Sequence, residues 1–231
     1  MINIRPFASL GHADHGWLNA RHHFSFADYH DPERMGWGAI RVWNDDEIAP
    51  NTGFPPHPHM NMEIVTYVRE GAITHGDSLG NKGRTAAGDV QVMSAGDGIR
   101  HSEFNLEPVK TSLFQIWIIP DERGGTPRWD QREFPREQAN GAWTLLASQH
   151  GGDGTLMIRA DARVWGAKAG TGQHLHYTAN PARHLYLVSH AAPVRINGQL
   201  AQPRDGIAIT DEAELQVEVL GDTELVLVDA I

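Results

Sequence analysis

Hydrophobic positions along this chain recur mostly every second residue, in short runs cut off by glycine, proline, asparagine and aspartate. A period of two sends alternate side chains to opposite faces of an extended ribbon, so it predicts strands. Ala39-Ile40-Arg41-Val42-Trp43, Ile64-Val65-Thr66-Tyr67-Val68, Ala72-Ile73-Thr74-His75 and Gly88-Asp89-Val90-Gln91-Val92-Met93 read this way. Leu113 to Ile119 closes the first half, with Phe114, Ile116 and Ile118 on one face, and Phe24-Ser25-Phe26 reads as a further short strand. Asn44-Asp45-Asp46 ends the strand before it and, with Glu47, reads as a solvated turn rather than a cation site. Glu70-Gly71, Asp77-Ser78-Leu79-Gly80-Asn81 and Ser94-Ala95-Gly96-Asp97-Gly98 are turns. No stretch keeps a helical period over about a dozen residues, so the expected fold class is all-β, in sandwich or barrel form.

The pattern then runs a second time in worn form. Leu185-Tyr186-Leu187-Val188 parallels Val65-Thr66-Tyr67-Val68, and Asp205-Gly206-Ile207-Ala208-Ile209 parallels Gly88-Asp89-Val90-Gln91-Val92. Val194-Arg195-Ile196 precedes an Asn197-Gly198 hairpin signal. Between the halves, residues 120–140 are rich in proline, glycine and charge, and Pro135–Ala139 reads as one helical turn. Two domains are expected, 1–130 and 131–231.

Composition narrows the function. At 231 residues the chain is long enough for a real core, and 40% hydrophobic with 21% charged residues is ordinary for a globular protein. A formal charge of −10 argues against charge-driven nucleic-acid binding and leaves a protein partner open. With no cysteine there is neither a disulfide nor a thiolate ligand, so any metal must use His, Asp or Glu. No apolar run is long enough for a membrane span and no signal core opens the chain, so a cytoplasmic location is expected.

The candidate chemistry lies in two pairs. His57 and His59 stand two apart, about 6.6 Å along a strand, on one face, and two imidazoles at that spacing can lean onto one ion. Pro58 between them suits an edge strand. His101 and Glu103 repeat the spacing, now with one imidazole and one carboxylate, after a glycine turn. An antiparallel fold brings the pairs together, and nitrogen and carboxylate ligands with open positions suit Fe(II), Ni(II), Co(II) or Zn(II) better than magnesium or calcium. Glu63 shares parity with His57 and His59 but lies about 13 Å along the strand from His59, so Glu103 is the expected ligand and Glu63 a group that orients a histidine. His12, His15, His22, His23 and His30 lack a consistent spacing and are expected to pack and hydrogen-bond. His174-Leu175-His176 echoes the first pair, but Thr210-Asp211-Glu212-Ala213 stands where a second ligand strand would supply histidine. Phe54, Met62, Phe104 and Trp117 are candidates for an apolar lining.

Four stretches carry a family likeness: Arg21 to Tyr29, His57-Pro58-His59 through Tyr67, His75 to Asn81, and Met93 to Glu103. By these the chain resembles the pirin-like bicupins, and especially the bacterial members described as flavonol (quercetin) 2,3-dioxygenases. The likeness covers most of the first half and thins after about residue 130. It implies two cupin (double-stranded β-helix) barrels packed face to face, with one metal in the N-terminal barrel and a degenerate C-terminal barrel. By motif the ligands are His57, His59, His101 and Glu103. Fe(II) is the ion expected, with nickel, cobalt, copper or zinc as alternatives. The implied reaction opens a flavonol with O2 and releases CO, Glu103 taking the proton of the 3-hydroxyl. Ser94 stands where the general cupin signature has proline, a departure typical of pirin-like chains. The resemblance also implies an alternative, a metal-carrying regulatory module that binds a protein partner without turnover.

Overall fold

A computed structural model describes residues 1–133, 141–152 and 154–231. The expected helical turn at Pro135–Ala139 lies outside them. Strands account for nearly all the regular structure, and the helical element described is the 3-10 turn Phe7–Ser9. Among the described residues no helix is long and apolar enough to cross a membrane. The chain forms two compact units that are not collinear with it. Gly11–Phe134 groups with Ser148–Asp161, and Met1–Leu10 groups with Ala162–Ile231.

In the first unit a seven-stranded sheet runs in the order Arg128–Arg132, Val90–Ser94, Glu63–Glu70, Thr111–Ile118, Ile40–Ile48, Leu18–His22, Gly11–Asp14. A four-stranded sheet runs Thr52–His59, Ile99–Asn105, Ala72–Asp77, Lys82–Ala86. Every pairing of neighbouring strands in these two sheets is antiparallel, which is what tight glycine turns between neighbouring strands allow. Thr52–His59 is an edge strand, so the missing N–H of Pro58 costs no ladder bond. Leu18, Ala20, Ile48, Val68, Ile73 and Leu113 form one buried cluster, and Ile64, Met93, Ala95 and Ile99 a second. Each such side chain of leucine or isoleucine size stabilises by about 1.5–3 kcal/mol when fully buried.

In the second unit the N-terminal strand Ile2–Arg5 pairs with Gly206–Ile209, and the sheet continues through His184–Ser189, Thr223–Ala230 and Ala162–Ala169. Its four-stranded sheet runs His174–Thr178, Glu214–Val219, Val194–Ile196, Gln199–Ala201. A single core of leucine, isoleucine and valine fills this unit, with Leu175 and Tyr177 turned into it.

Two local expectations are corrected. Phe24 to Phe26 is not a strand: Ser25 Oγ donates to the Asp31 carbonyl and accepts the Asp31 N–H, and Phe26 bridges Tyr29 across a turn with Ala27 at φ 48°. Asn44-Asp45-Asp46 is not a solvated turn but the middle of the strand Ile40–Ile48, and all three residues are buried. Asp45 is buried because Arg69 forms an ion pair with it on one face of the sheet. Asp46 faces the other way, into a cavity.

Candidate metal centre

The four-stranded sheet of the first unit sets the geometry. His57 is paired in register with His101, His59 with Ile99, and a register shift between His101 and Glu103 sets Glu103 opposite Phe54. Alternation puts His57, His59, His101 and Glu103 on one face. Gly96 and Gly98, at φ +49° and +140°, make the turn that starts the His101 strand, a conformation residues with a Cβ rarely adopt. The three imidazoles form a near-equilateral triangle, with ring centroids 4.8 Å apart for His57–His59, 4.5 Å for His57–His101 and 4.9 Å for His59–His101. One nitrogen from each lies within 4.8 Å of the others, and a second cluster of the same tightness joins His75, His101 and Glu103. Glu103 therefore sits beside the triangle through His101.

Hydrogen bonds fix the ring tautomers. A carbonyl only accepts, so His57 Nδ1, 2.7 Å from the Pro55 oxygen, carries the proton and Nε2 keeps its lone pair. Burial pushes the Asp77 carboxyl up, yet hydrogen bonds from His75, Asn81 and Leu79 outweigh it and hold the group below the usual carboxylate range. That carboxylate accepts from His75 Nε2 at 3.0 Å. With one proton per ring, His75 Nδ1 then accepts from His101 Nδ1 across a long 3.4 Å contact. His101 Nε2 is left with a lone pair, buried and without a hydrogen-bond partner. His75 is held flat against Trp129, at 4.8 Å and 7°.

Electrostatics keep two of the three imidazoles, His59 and His101, neutral. Burial, then the charges of His101 and His57, pull His59 down to about 4. Burial, then His57 and His75, pull His101 down to about 3. Neutral imidazoles with free lone pairs are the form that binds a first-row divalent ion, and a buried nitrogen with no protein partner is the atom such an ion would satisfy. The residues therefore fit a metal.

Glu103 is held by the opposite sheet. Gln91 Nε2 donates to one carboxylate oxygen at 2.6 Å and Gln115 Nε2 to the other at 2.8 Å. These amides belong to a polar row at one level across the large sheet. Gln91 is opposite Thr66, Thr66 opposite Gln115, Gln115 opposite Asn44, and Asn44 opposite His22. Thr66 Oγ donates to Gln115 at 2.8 Å, and Asn44 Oδ1 lies 2.8 Å from His22 Nδ1.

A cavity of about 330 Å³ opens in front of the triangle. His57, His59, His101, Glu103 and Gln115 border it, with Phe54, Ile64, Trp117, Leu18 and Ala20 as apolar wall and His22, Asn44 and Asp46 as further polar groups. Burial, then the charges of Asp45 and Glu103, push Asp46 up to about 8 against the pull of Arg69. Its Oδ1 has no hydrogen-bond partner.

Of the lining foreseen from sequence, Phe54 and Trp117 border the cavity, while Met62 packs with the Ile64–Met93 cluster and Phe104 is not on the wall. Glu63 is in neither cluster. It accepts from Ser94 Oγ at 2.5 Å, and burial raises its carboxyl. His174 and His176 are exposed on the outer face of their strand, with Glu218 and Gln216 opposite, and among the described residues they join no metal-type cluster. The sequence does not place His75, Asp77, Gln91, Gln115, Asn44 or Asp46 at the site; Asn44 and Asp46 read there as a solvated turn. His75-Gly76-Asp77 carried the same two-residue spacing as the ligand pairs and was the one visible signal.

The fold and this centre define a two-barrel cupin with a histidine-rich candidate metal site. Residues 3–118 match the family model Pirin, and residues 145–230 match the model Quercetinase C-terminal cupin domain. The chain belongs to the pirin family. It is 59% identical to the Pirin-like protein of Caulobacter vibrioides over 100% of both chains. It is 44% identical to the quercetin 2,3-dioxygenase of Escherichia coli K12, over 99% of this chain and 98% of that one. The crystal structure of the bacterial pirin YhhW of Escherichia coli in complex with nickel(II) superposes with a TM-score of 0.93 at 42% identity, covering 100% of this chain and 99% of that one.

Proposed function

We propose that this protein is a metal-dependent dioxygenase that opens the heterocyclic ring of a flavonol such as quercetin: the C2–C3 and C3–C4 bonds break, one oxygen atom of O2 ends on C2 and the other on C4, and C3 leaves as CO. The observation that carries the reading is the imidazole triangle, with its buried, partnerless His101 Nε2, placed beside Glu103 on the wall of a largely apolar cavity. His57, His59, His101 and Glu103 are the proposed ligands, Fe(II) the first choice of ion and nickel, cobalt, copper or zinc the alternatives. When bound, the ion supplies Lewis acidity and a template for an oxygen-bearing ligand.

The chain's own residues do the rest. Glu103, on or beside the ion, takes the 3-hydroxyl proton, and the donors Gln91 and Gln115 keep its carboxylate aimed at the cavity. Phe54, Ile64 and Trp117 exclude water from the aromatic body. The relatives named for quercetin 2,3-dioxygenase activity support the substrate class.

The test is metal analysis of protein purified without chelator, then anaerobic binding of quercetin followed by O2. Consumption of quercetin with release of CO is expected. Quercetin that persists with iron-, nickel- and cobalt-loaded protein alike rejects the dioxygenase reading and leaves the non-catalytic metal carrier.

A further inference from the structure

Asp46 is a buried carboxyl set among apolar neighbours. Its register neighbours on the cavity face are Ala20 on one side and Leu113 on the other, both members of the buried apolar cluster. It is 3% exposed, and its Oδ1 meets no donor. Every other polar group described on this wall has work to do. Gln115 holds Glu103, Asn44 holds His22, and the histidines form the triangle. A buried carboxyl oxygen without a donor costs stability. The exposed alternative is not open to it, because the strand continues to Ile48 with its ladder intact.

Position gives the group a use. Along its strand Asp46 lies one pleat repeat beyond Asn44, about 6.6 Å from the polar row. That step leads toward the level of Leu18 and Ile48 and away from Trp117, since Asp46 is opposite Leu113 whereas Trp117 is opposite Val42. Trp117 in turn packs edge-on against His59, with centroids 5.0 Å apart. The carboxyl is thus displaced from the His59–Trp117 end of the cavity, on the wall shared with Leu18, Ala20 and Phe54. A molecule held at the triangle by one oxygen, with its apolar body on these walls, would bring a second polar hydrogen to Asp46.

We infer that Asp46 is the specificity residue of this cavity, hydrogen-bonding a hydroxyl on the part of an aromatic ligand remote from the group held at the histidines. The inference rests on the reading of the cavity as the substrate site and adds to it a demand on the substrate. The ligand carries at least one further hydroxyl besides the one that meets the metal centre. A site with a dedicated partner for a hydroxyl discriminates strongly against the analogue lacking it, because the partner is then buried unpaired.

The experiment compares two flavonols on nickel(II)-loaded protein without O2, following binding by quenching of tryptophan fluorescence. Quercetin has hydroxyls on its outer rings, whereas 3-hydroxyflavone keeps the 3-hydroxyl alone. Wild type is expected to bind quercetin at least about tenfold more tightly. Asp46→Leu is expected to bring the two affinities within about twofold by releasing the penalty on 3-hydroxyflavone. Asp46→Asn, which keeps hydrogen-bonding atoms at nearly the same volume, is expected to retain part of the preference. Thermal unfolding of both variants guards against a general loss of fold, and Asp46→Leu should melt no lower than wild type.

A preference that survives Asp46→Leu, or is absent from wild type, overturns the inference even if quercetin is consumed once O2 is admitted. A preference that collapses in Asp46→Leu while quercetin is never consumed keeps the inference and removes the dioxygenase reading. Failure of metal-loaded wild type to bind either flavonol removes both.

Discussion

Replacing Asp46 by asparagine gives a stability difference whose pH dependence can be calculated from one group. The folded protein holds the Asp46 carboxyl at about 8, against an ordinary value of 3.8. A raised acid has an inverted sign. Between those two values the folded state keeps a proton that the unfolded state has released, so stability rises as pH falls, at about 1.36 kcal/mol per pH unit. The contribution is complete below the unfolded value and is lost as pH rises through about 8. Asparagine does not titrate, so subtracting the variant cancels the other ionisable groups to first order. Between pH 7 and pH 5, wild type should therefore gain about 2.5 kcal/mol relative to Asp46→Asn. Urea unfolding of metal-free protein at the two pH values measures this, provided the slope with denaturant is the same for both proteins. A difference that changes by less than about 0.5 kcal/mol means that the carboxyl titrates like an exposed aspartate, which would refute its burial.

Other outcomes follow from the same geometry. Because His59 and His101 are held down to about 4 and about 3, proton competition for these two nitrogens should set in near pH 4; chelator competition at pH 5 and 4 should show affinity falling over that step. His75→Phe keeps the stack on Trp129 but removes the acceptor for His101 Nδ1, and should weaken metal binding by about 10–100-fold with the melting temperature little changed. Arg69→Met removes the ion-pair partner of the buried Asp45, and should cost about 3–5 kcal/mol in urea unfolding at pH 7. Gly53→Ala would place a Cβ 2.3 Å from the Glu103 carbonyl oxygen and 2.5 Å from Phe104 Cα, so the edge strand must shift, and metal content after dialysis should drop with it.

The two candidate pairs could be picked out from the chain, and the convergence of His57, His59 and His101 expected, because their signal is local. His57 with His59 and His101 with Glu103 need only an alternating ribbon and a glycine turn. Strand content was legible for the same reason: the runs at Ile64–Val68 and Leu113–Ile119 alternate visibly, and both lie in strands of the large sheet. What escaped depends on partners distant in sequence. Asn44-Asp45-Asp46 has the composition of a turn, and it stays in a strand because Arg69 neutralises Asp45 and a cavity receives Asp46. The polar row from Gln91 to His22 exists only once five strands are in register, so no window of sequence contains it. Phe24-Ser25-Phe26 alternates like a strand, but Ser25 bonds the backbone at Asp31 and turns the chain instead. His174 and His176 kept the spacing of the ligand pair on a strand whose inward positions belong to Leu175 and Tyr177.

The edge position of Thr52–His59 has a consequence for the order of assembly. Two of the three imidazoles ride on a ribbon hydrogen-bonded along one side only, to Ile99–Asn105, while the third is fixed between two neighbours. Peeling that ribbon back separates His57 and His59 from His101 and lifts Phe54 and His59 off the large sheet, while the seven-stranded sheet keeps its own strand pairings. Cation uptake and release can thus proceed on an already folded barrel, at the free energy of fraying one margin rather than of unfolding the whole.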